Sequence, residues 1–322
     1  GGRGHGGGTR GGALSRAGRG GAVRVSAPAK VNLTLRVRGR RADGYHEVET
    51  LLQAISLRDR VTLEVVAEPT FTLEVRGADV GPVQDNLVTR AVASFREAVG
   101  ALPPLRVFLE KRIPAGAGLG GGSSDAGATL RALNLLLGGP LSGPALTALG
   151  GALGADVAFF AGESALALGE GRGERLTPAP PLPPRRLVLG LPDVHVSTPS
   201  AYRTLATARA AGHPVPPPLL RGRTPASWAE AEAWAVNDFE PEVPDAHPGV
   251  AQALAALRAE GVGPALLSGS GGAVFGLLPA GRSCRETLAR LRARLPGVRW
   301  RAAATLTRMP PPRRVDASAI IR

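Results

Sequence analysis

The chain has 322 residues, 43% of them hydrophobic, one cysteine and a formal charge of +13. It can bury a substantial core, and its length favours two domains over one. The lone Cys284 excludes an internal disulfide, and no apolar run approaches the roughly 18 residues of a membrane span.

Residues 1–21 are expected to form a disordered basic tail: Arg3, Arg10, Arg16 and Arg19 stand among glycines with no acid and no apolar stretch of signal-peptide length. Such a tail can adhere to nucleic acid, which makes a basic nucleic-acid-binding protein one reading of the composition. "KVNLTLRVR" then alternates, with Val31, Leu33, Leu35 and Val37 on one face and Lys30 and Asn32 side by side on the other. It predicts a strand with one buried face. "RVTLEVV" and "FTLEVRG" predict two more strands joined by a turn at "AEPT". Asp85 is expected to cap a helix that runs through Leu87, Val88, Ala91, Val92, Phe95 and Val99 and stops at Gly100.

"LRVFLEKRI" is a further strand leading straight into "IPAGAGLGGGSSDAG", and Leu130, Leu133 and Leu137 mark the helix beyond. Its first turn is expected to hold Ser124 and Asp125. Prolines at 175–187 predict a domain boundary. The second half has a strand at Leu187–Leu191, a loose Pro/Ala-rich insertion at 208–226 and an Ala-rich helix near 249–259. In "ALLSGSGGAVFGLL" one strand enters a tight glycine turn and another leaves. Residues 309–322 are expected to form a second disordered tail. Strands interspersed with helices in this order predict an α+β protein.

The glycine run contains a formal G-x-G-x-x-G at Gly116, Gly118 and Gly121, but no βαβ unit ending in an acid follows it. No lysine precedes Ser123 or Ser124, so it is not a Walker A loop. A strand, a glycine-rich turn and a helix N-terminus together present free N–H groups and the positive end of a helix dipole to an anion. The run therefore reads as a phosphate loop. Asp125 would repel phosphate and is expected to face outward. Transfer would also need a base and a cation. Asp156, in apolar "LGADVAFFAG", is the candidate base, with a cap or loop role as the alternative. Of 39 basic residues only Lys30 and Lys111 are lysine, so a retained lysine points to a need for a compact ammonium. Lys30 is the candidate cation. Lys111 is expected either to border the nucleotide pocket or to form a structural salt bridge.

Taken together, "APAKVNLTLRV", "RADGYHEVETLLQAISLRD", "IPAGAGLGGGSSDA", "LGADVAFF", "VNDFEPEV" and "LSGSGGAVFG" resemble the GHMP kinase superfamily over roughly residues 22–308. The resemblance implies a two-domain GHMP kinase fold, with an S5-domain-2-like N-terminal half (22–175) and a ferredoxin-like C-terminal half (187–308). It implies ATP and Mg²⁺ as cofactors and phosphorylation of a hydroxyl on a small cytidyl diphosphate substrate. Asp156 would be the base, with Lys30 beside it. Asn32, Tyr45, His46 and Tyr202 would contact the substrate, Tyr45 and His46 through the cytosine. Pro114, Gly116, Gly118, Leu119, Gly120, Gly121, Gly122, Ser123 and Ser124 would hold ATP, the two serines also being candidates to meet Mg²⁺. Gly269, Ser270 and Gly271 would form a third glycine motif. No metal ligand is otherwise assigned. The family often has asparagine at Asp125 and phenylalanine at Tyr202. Mevalonate- and homoserine-type kinases are the rival readings, and "DGYH" argues against both. The expected setting is the bacterial cytoplasm, without membrane or specific nucleic-acid partners, as a monomer or homodimer.

Overall fold

The alternation around Val31 belongs to a much longer strand. In the computed structural model, which describes residues 21–42, 44–78 and 80–317, β1 runs from Gly21 to Arg40. The basic tail ahead of it lies outside the described residues. β2 (His46–Val65) pairs antiparallel with β1, with register shifts at Pro28/Ala29, Asn32/Thr34 and Val37/Arg40. A chain turn separates β2 from β3 (Phe71–Arg76) where "AEPT" predicts one, yet the two strands do not pair. β4 (Leu105–Glu110) inserts between them, antiparallel to β2 and parallel to β3. Its Leu105, Val107 and Leu109 are all buried, whereas β3 buries only Leu73. The more apolar strand takes the inner place and the more polar one the edge.

Four helices pack on this sheet: α1 (Leu87–Val99), α2 (Gly121–Leu136), α3 (Gly143–Leu153) and α4 (Ala155–Ala161). The cap of α1 is Asn86 and not Asp85: the Asn86 side chain accepts from Val88 N–H at 2.9 Å, and Asp85 ends a preceding 3₁₀ turn. Gly100 stops the helix at φ 92°. β5 (Leu166–Gly171) adds to β2, and β6 (Arg175–Pro178) adds to β5.

After the prolines a second sheet begins at β7 (Arg186–Leu191). It is followed by α5 (Thr198–Ala210), α6 (Trp228–Ala233), β8 (Val236–Asn237), α7 (Glu242–Ala246) and α8 (Pro248–Ala259). β9 (Ala265–Leu267), β10 (Val274–Leu277), α9 (Cys284–Arg294), β11 (Arg299–Ala304) and β12 (Arg313–Asp316) complete the chain. The second sheet has the order β11-β7-β10-β9. With α8 and α9 as its crossovers, this is a split βαβ of ferredoxin-like type.

The two halves are not separate in space. β8 pairs parallel with β1 at Thr34 and Leu35, and β12 pairs antiparallel with β1 from Gly21 to Arg24. Residues 309–316 are therefore no disordered tail. The outer edge of β1 offers unpaired backbone groups, which β12 satisfies. Met309 is buried, and Arg314 donates to the carbonyls of Leu135 and Leu136 at the end of α2. The insertion at 208–226 is likewise pinned: Leu220 is fully buried, and the N–H groups of Leu219 and Arg221 donate to the Glu49 carboxylate at 2.7 and 2.6 Å.

β1 changes partners in mid-course. Val23, Val25 and Ala27 join a core with α1 and α2; beyond the first register shift, Ala29, Val31 and Leu33 join one with β7 and β10. The expected polar face of β1 is therefore also buried, with Lys30, Asn32 and Thr34 at most 5% exposed. They lie between two halves of the molecule, and a cleft opens over them.

Candidate active site

The glycine run wraps the mouth of this cleft, a cavity of about 540 Å³. Gly116, Gly118 and Gly120 all have positive φ, which a side chain would strain. A Cβ on Gly118 would lie 1.9 Å from the Ser268 carbonyl oxygen, and one on Gly271 would lie 2.3 Å from Gly118 N. The third glycine motif is thus pressed directly onto the first. Ser268 Oγ reinforces the contact by donating to Gly118 O at 3.1 Å. α2 starts at Gly121, and its first intrahelical bond runs from Ser124 N to Gly120 O. The N–H groups of Gly121, Gly122 and Ser123 consequently have no partner within the helix, and all three residues line the cleft. This is the geometry that holds phosphate.

Lys30 is the hub of the site. Its backbone N–H donates to Leu119 O at 3.0 Å, and its Nζ donates to Asn32 Oδ1 at 2.7 Å and to Gly118 O at 2.9 Å. Nζ also lies 3.6 Å from Asp156 Oδ2, which brings together two groups 126 positions apart in sequence. Asp156 occupies the first turn of α4, where the helix dipole favours its charge. Val157 to Phe160 are buried, but the Asp156 side chain is 36% exposed and lines the cleft. The carboxylate is thus presented to the cavity and not sealed in the apolar surroundings that its neighbours suggest. Asn32 Nδ2 donates to Thr50 Oγ1 at 2.8 Å, which in turn donates to Thr34 O. This relay fixes the amide with its oxygen toward Lys30. Thr50 is a residue that sequence reasoning missed; a lone hydroxyl in a strand gives no signal.

Two expectations about the start of α2 are overturned. Ser124 is fully buried and its hydroxyl donates to Pro28 O at 2.6 Å, so it faces the sheet and not the cleft. The helix turn that presents Ser123 necessarily rotates its neighbour by about 100°. Asp125 faces inward, not outward: its Oδ2 lies 2.6 Å from Lys111 Nζ, which also contacts the Asp59 carboxylate. A buried ammonium needs acceptors and counter-charge, which Asp59 and Asp125 share. Lys111 also lines the cleft, so it is at once a pocket residue and an ion-pair member. Asp59 further accepts from the N–H groups of Arg112 and Ile113, tying β2 to the entrance of the loop. In the sequence Asp59 stands between Arg58 and Arg60, which reads as a solvated charge cluster and gives no signal of this role.

Burial works to lower the Lys111 pKa, but Asp125 and Asp59 outweigh it and hold the ammonium above its usual range. Burial pushes the Asp125 carboxyl up to about 8, against the pull of Lys111. The folded protein therefore binds a proton here that the unfolded chain has released above about pH 4, and stability falls as pH rises from there toward 8. Asp125→Asn removes that dependence. Its stability relative to the parent is expected to increase steadily from pH 5 to pH 8, measured as urea midpoints. A constant difference across that range would contradict the assignment.

At the other end of the cleft, Tyr202 on α5 packs edge-on to Phe239 with ring centroids 4.9 Å apart, and against His46 at 5.1 Å. Burial, with the Asp156 charge nearby, pushes the Tyr202 phenol up to about 12. Burial and the neighbouring Arg209 and Arg40 lower the His46 pKa, which favours the neutral imidazole. Tyr45 is 57% exposed, with the Arg172 guanidinium 4.9 Å over its ring. Tyr202 and Arg172 line the cleft; Tyr45 and His46 are not among its lining, His46 packing on Tyr202 and Tyr45 under Arg172. Arg172 is an unforeseen cation at this end.

"VNDFEPEV" acquires a purpose in the fold. Asn237 donates to Leu267 O and Gly269 O, both at 2.8 Å, and Glu240 accepts from Leu267 N–H. Asp238 accepts from Arg36 and from the N–H of Val37 on β1. The segment clasps the third glycine motif to the strand that carries Lys30.

A glycine loop opening onto a helix N-terminus, a lysine–aspartate pair and Tyr202 in one cleft between two α+β halves are the arrangement expected of a small-molecule kinase of the GHMP type. Residues 86–163 match the family of GHMP kinases N terminal domains and residues 220–295 that of GHMP kinases C terminal domains. The chain is 42% identical to a 4-diphosphocytidyl-2-C-methyl-D-erythritol kinase of Solibacter usitatus over 79% of its own length and 80% of the relative's. It is 41% identical to one of Pelotomaculum thermopropionicum, over 84% and 94%. A crystal structure of 4-(cytidine 5'-diphospho)-2C-methyl-D-erythritol kinase superposes with a TM-score of 0.69 at 38% identity, covering 88% of this chain and 98% of that one. The chain belongs to the 4-diphosphocytidyl-2-C-methyl-D-erythritol kinase family, and it is an ATP-dependent kinase. Homoserine kinase from Cytophaga hutchinsonii superposes with a TM-score of 0.61 at 18% identity, a likeness of fold alone. Among the described residues no helix is long and apolar enough to cross a membrane.

Proposed function

We propose that the chain transfers the γ-phosphoryl group of ATP to the 2-hydroxyl of 4-diphosphocytidyl-2-C-methyl-D-erythritol, a step toward isoprenoid precursors. The observation that carries this reading is Lys30 Nζ, 2.9 Å from the glycine loop and 3.6 Å from Asp156. Asp156 takes the proton as the hydroxyl oxygen forms its bond to phosphorus, and the bond to the bridging oxygen breaks to release ADP. Lys30 stands beside Asp156 and offsets negative charge on the reacting oxygens. The N–H groups of Gly121, Gly122 and Ser123 bind phosphate oxygens. Asn32, held by Thr50, orients the acceptor.

The cytosine end of the acceptor is read by Tyr202, neutral His46 and Tyr45. Arg172 lines the same cleft as Tyr202 and Asp156 and is the cation that would meet the acceptor's diphosphate. The site suits Mg²⁺ carried by the nucleotide: Ser123 faces the loop cavity, and among the described residues no cluster of three His, Cys, Asp or Glu side chains forms a protein-built metal centre. Mg²⁺ supplies charge neutralisation on the phosphates, and Ser123 is the residue that would meet it.

The test is ADP release with 4-diphosphocytidyl-2-C-methyl-D-erythritol, mevalonate and homoserine as acceptors. The first is expected to exceed the others in kcat/KM by about 10³-fold or more, since a site with buried polar groups rejects acceptors that leave them unpaired. Comparable turnover of mevalonate or homoserine would overturn the assignment.

A further inference from the structure

The positive charge of the chain is unevenly placed. Residues 282–301 hold seven arginines and one acid, Glu286. α9 sorts its own arginines by face. Arg290 and Arg294, one turn apart, both reach the Glu260 carboxylate, at 2.7 and 3.5 Å. Arg285 and Arg292 stand on another stripe of the helix with Leu288 between them. Among the described residues neither has a carboxylate partner.

That stripe borders a cavity of about 500 Å³ where α9 meets the start of β7, the end of β11 and Ser56 of β2. Arg186 completes its lining, also without a carboxylate partner among the described residues. It lies opposite Ala304 in the β7–β11 register, on the face whose Val188 and Trp300 join one core with Leu288 and Leu291 of α9. Arg292 Nη2 donates to Trp300 O at 3.3 Å, which holds its guanidinium at the β11 wall. Ser56 Oγ accepts from Ala304 N–H at 2.9 Å and keeps its own proton for a ligand.

The sign of the lining sets this cavity apart. The catalytic cleft, the cavity beside α4 and the small one behind the glycine loop each mix basic residues with aspartate or glutamate. Here the charged residues are Arg186, Arg285 and Arg292, all exposed, and no acid stands among them. Arginines gathered round one concavity repel each other and focus positive potential into it. Their planar forks match phosphate oxygens through paired N–H bonds. Arg285 and Arg292 stand two turns apart, about 10 Å along the helix, a span that suits linked phosphoryl groups better than a single phosphate. Leu288, Cys284 and Ala302 give the cavity an apolar floor.

We propose that this cavity binds an anion carrying two or more linked phosphoryl groups, held by Arg186, Arg285 and Arg292 with the Ser56 hydroxyl as a further donor. The site shares no lining residue with the catalytic cleft and needs neither Lys30 nor the glycine loop.

Calorimetric titration of the full-length protein with phosphate, pyrophosphate and tripolyphosphate, in about 0.1 M salt to screen diffuse attraction, tests the proposal. Tripolyphosphate is expected to show a saturable component that Arg285→Gln/Arg292→Gln weakens at least tenfold, with kcat and the KM for ATP within twofold of the parent. Arg290→Gln/Arg294→Gln removes the same charge from the other stripe of α9 and should leave that component within twofold. Tripolyphosphate bound on the glycine loop would be untouched by either pair of substitutions. Pyrophosphate should bind the arginine-dependent site at least tenfold tighter than phosphate. Hexyl diphosphate separates the sources: binding tighter than pyrophosphate assigns the site to organic diphosphates seated on the apolar floor, and equal or weaker binding to inorganic chains. Absence of a component sensitive to Arg285→Gln/Arg292→Gln, equal weakening by both pairs or equal affinity for phosphate and pyrophosphate each overturns the proposal. Should Arg285→Gln/Arg292→Gln fail to fold, Arg186→Gln decides by the same comparison.

Discussion

Asp156→Asn is expected to lower kcat by about 10²–10⁴-fold, the range for loss of a positioned general base, with the Kd for ATP within about twofold of the parent. The substitution keeps the shape of the side chain and its place in α4, so the loop and the nucleotide site remain intact. Lys30→Ala is expected to fall at least as far. It removes the charge beside Asp156 and also the donor to Asn32 Oδ1 and Gly118 O, which costs about 1–3 kcal/mol of stability. Lys30→Arg should not rescue turnover. The ammonium meets Asn32 Oδ1 at 2.7 Å, Gly118 O at 2.9 Å and Asp156 Oδ2 at 3.6 Å, and a longer planar fork cannot reproduce that set of contacts from the same backbone position. Steady-state kinetics with nucleotide-binding titrations separates these effects. Near-parental kcat in Asp156→Asn would remove it as the base.

Gly118→Ala carries the second large expectation, and its origin is packing. The added methyl would meet the Ser268 carbonyl at 1.9 Å, and the backbone at φ +80° is one that a side chain strains. Together these cost about 2–4 kcal/mol and push the phosphate loop off the third glycine motif. The KM for ATP is expected to rise at least tenfold, because the donors on Gly121 to Ser123 lose their common aim. Gly122→Ala is the stability control. Its Cβ would find nothing closer than Leu87 at 3.8 Å, and alanine is the better helix former by up to about 1 kcal/mol. Equal urea midpoints for the two variants would show that the two glycine motifs do not bear on each other as described.

The chain's local chemistry was open to reading without coordinates. Period-two alternation gives β1 and β4 because a pleated strand must place successive side chains on opposite faces, while β7 shows as a short apolar run. Gly100 ends α1 and the glycine run precedes α2 because only glycine adopts those backbone angles freely. The retention of Lys30 in an arginine-rich chain and the acid Asp156 in an apolar stretch drew attention to both residues, although the Asp156 side chain is not buried among those neighbours.

What tertiary structure alone decided is which distant groups meet and which way each points. No local pattern states that β4 slips between β2 and β3, or that residues 313–316 return to close the edge of β1. Those outcomes follow from competition among all strands for the most buried positions. Ser124 and Asp125 show the same limit on a smaller scale: next to the loop serine, Ser124 turns from the cleft onto Pro28, and Asp125 is buried at the cleft wall against Lys111. The 3.6 Å between Lys30 and Asp156 is likewise a property of packing. Residue type can announce that an acid and an ammonium are needed, but only the burial of α4 against α2 and the sheet brings them to one side of one cleft.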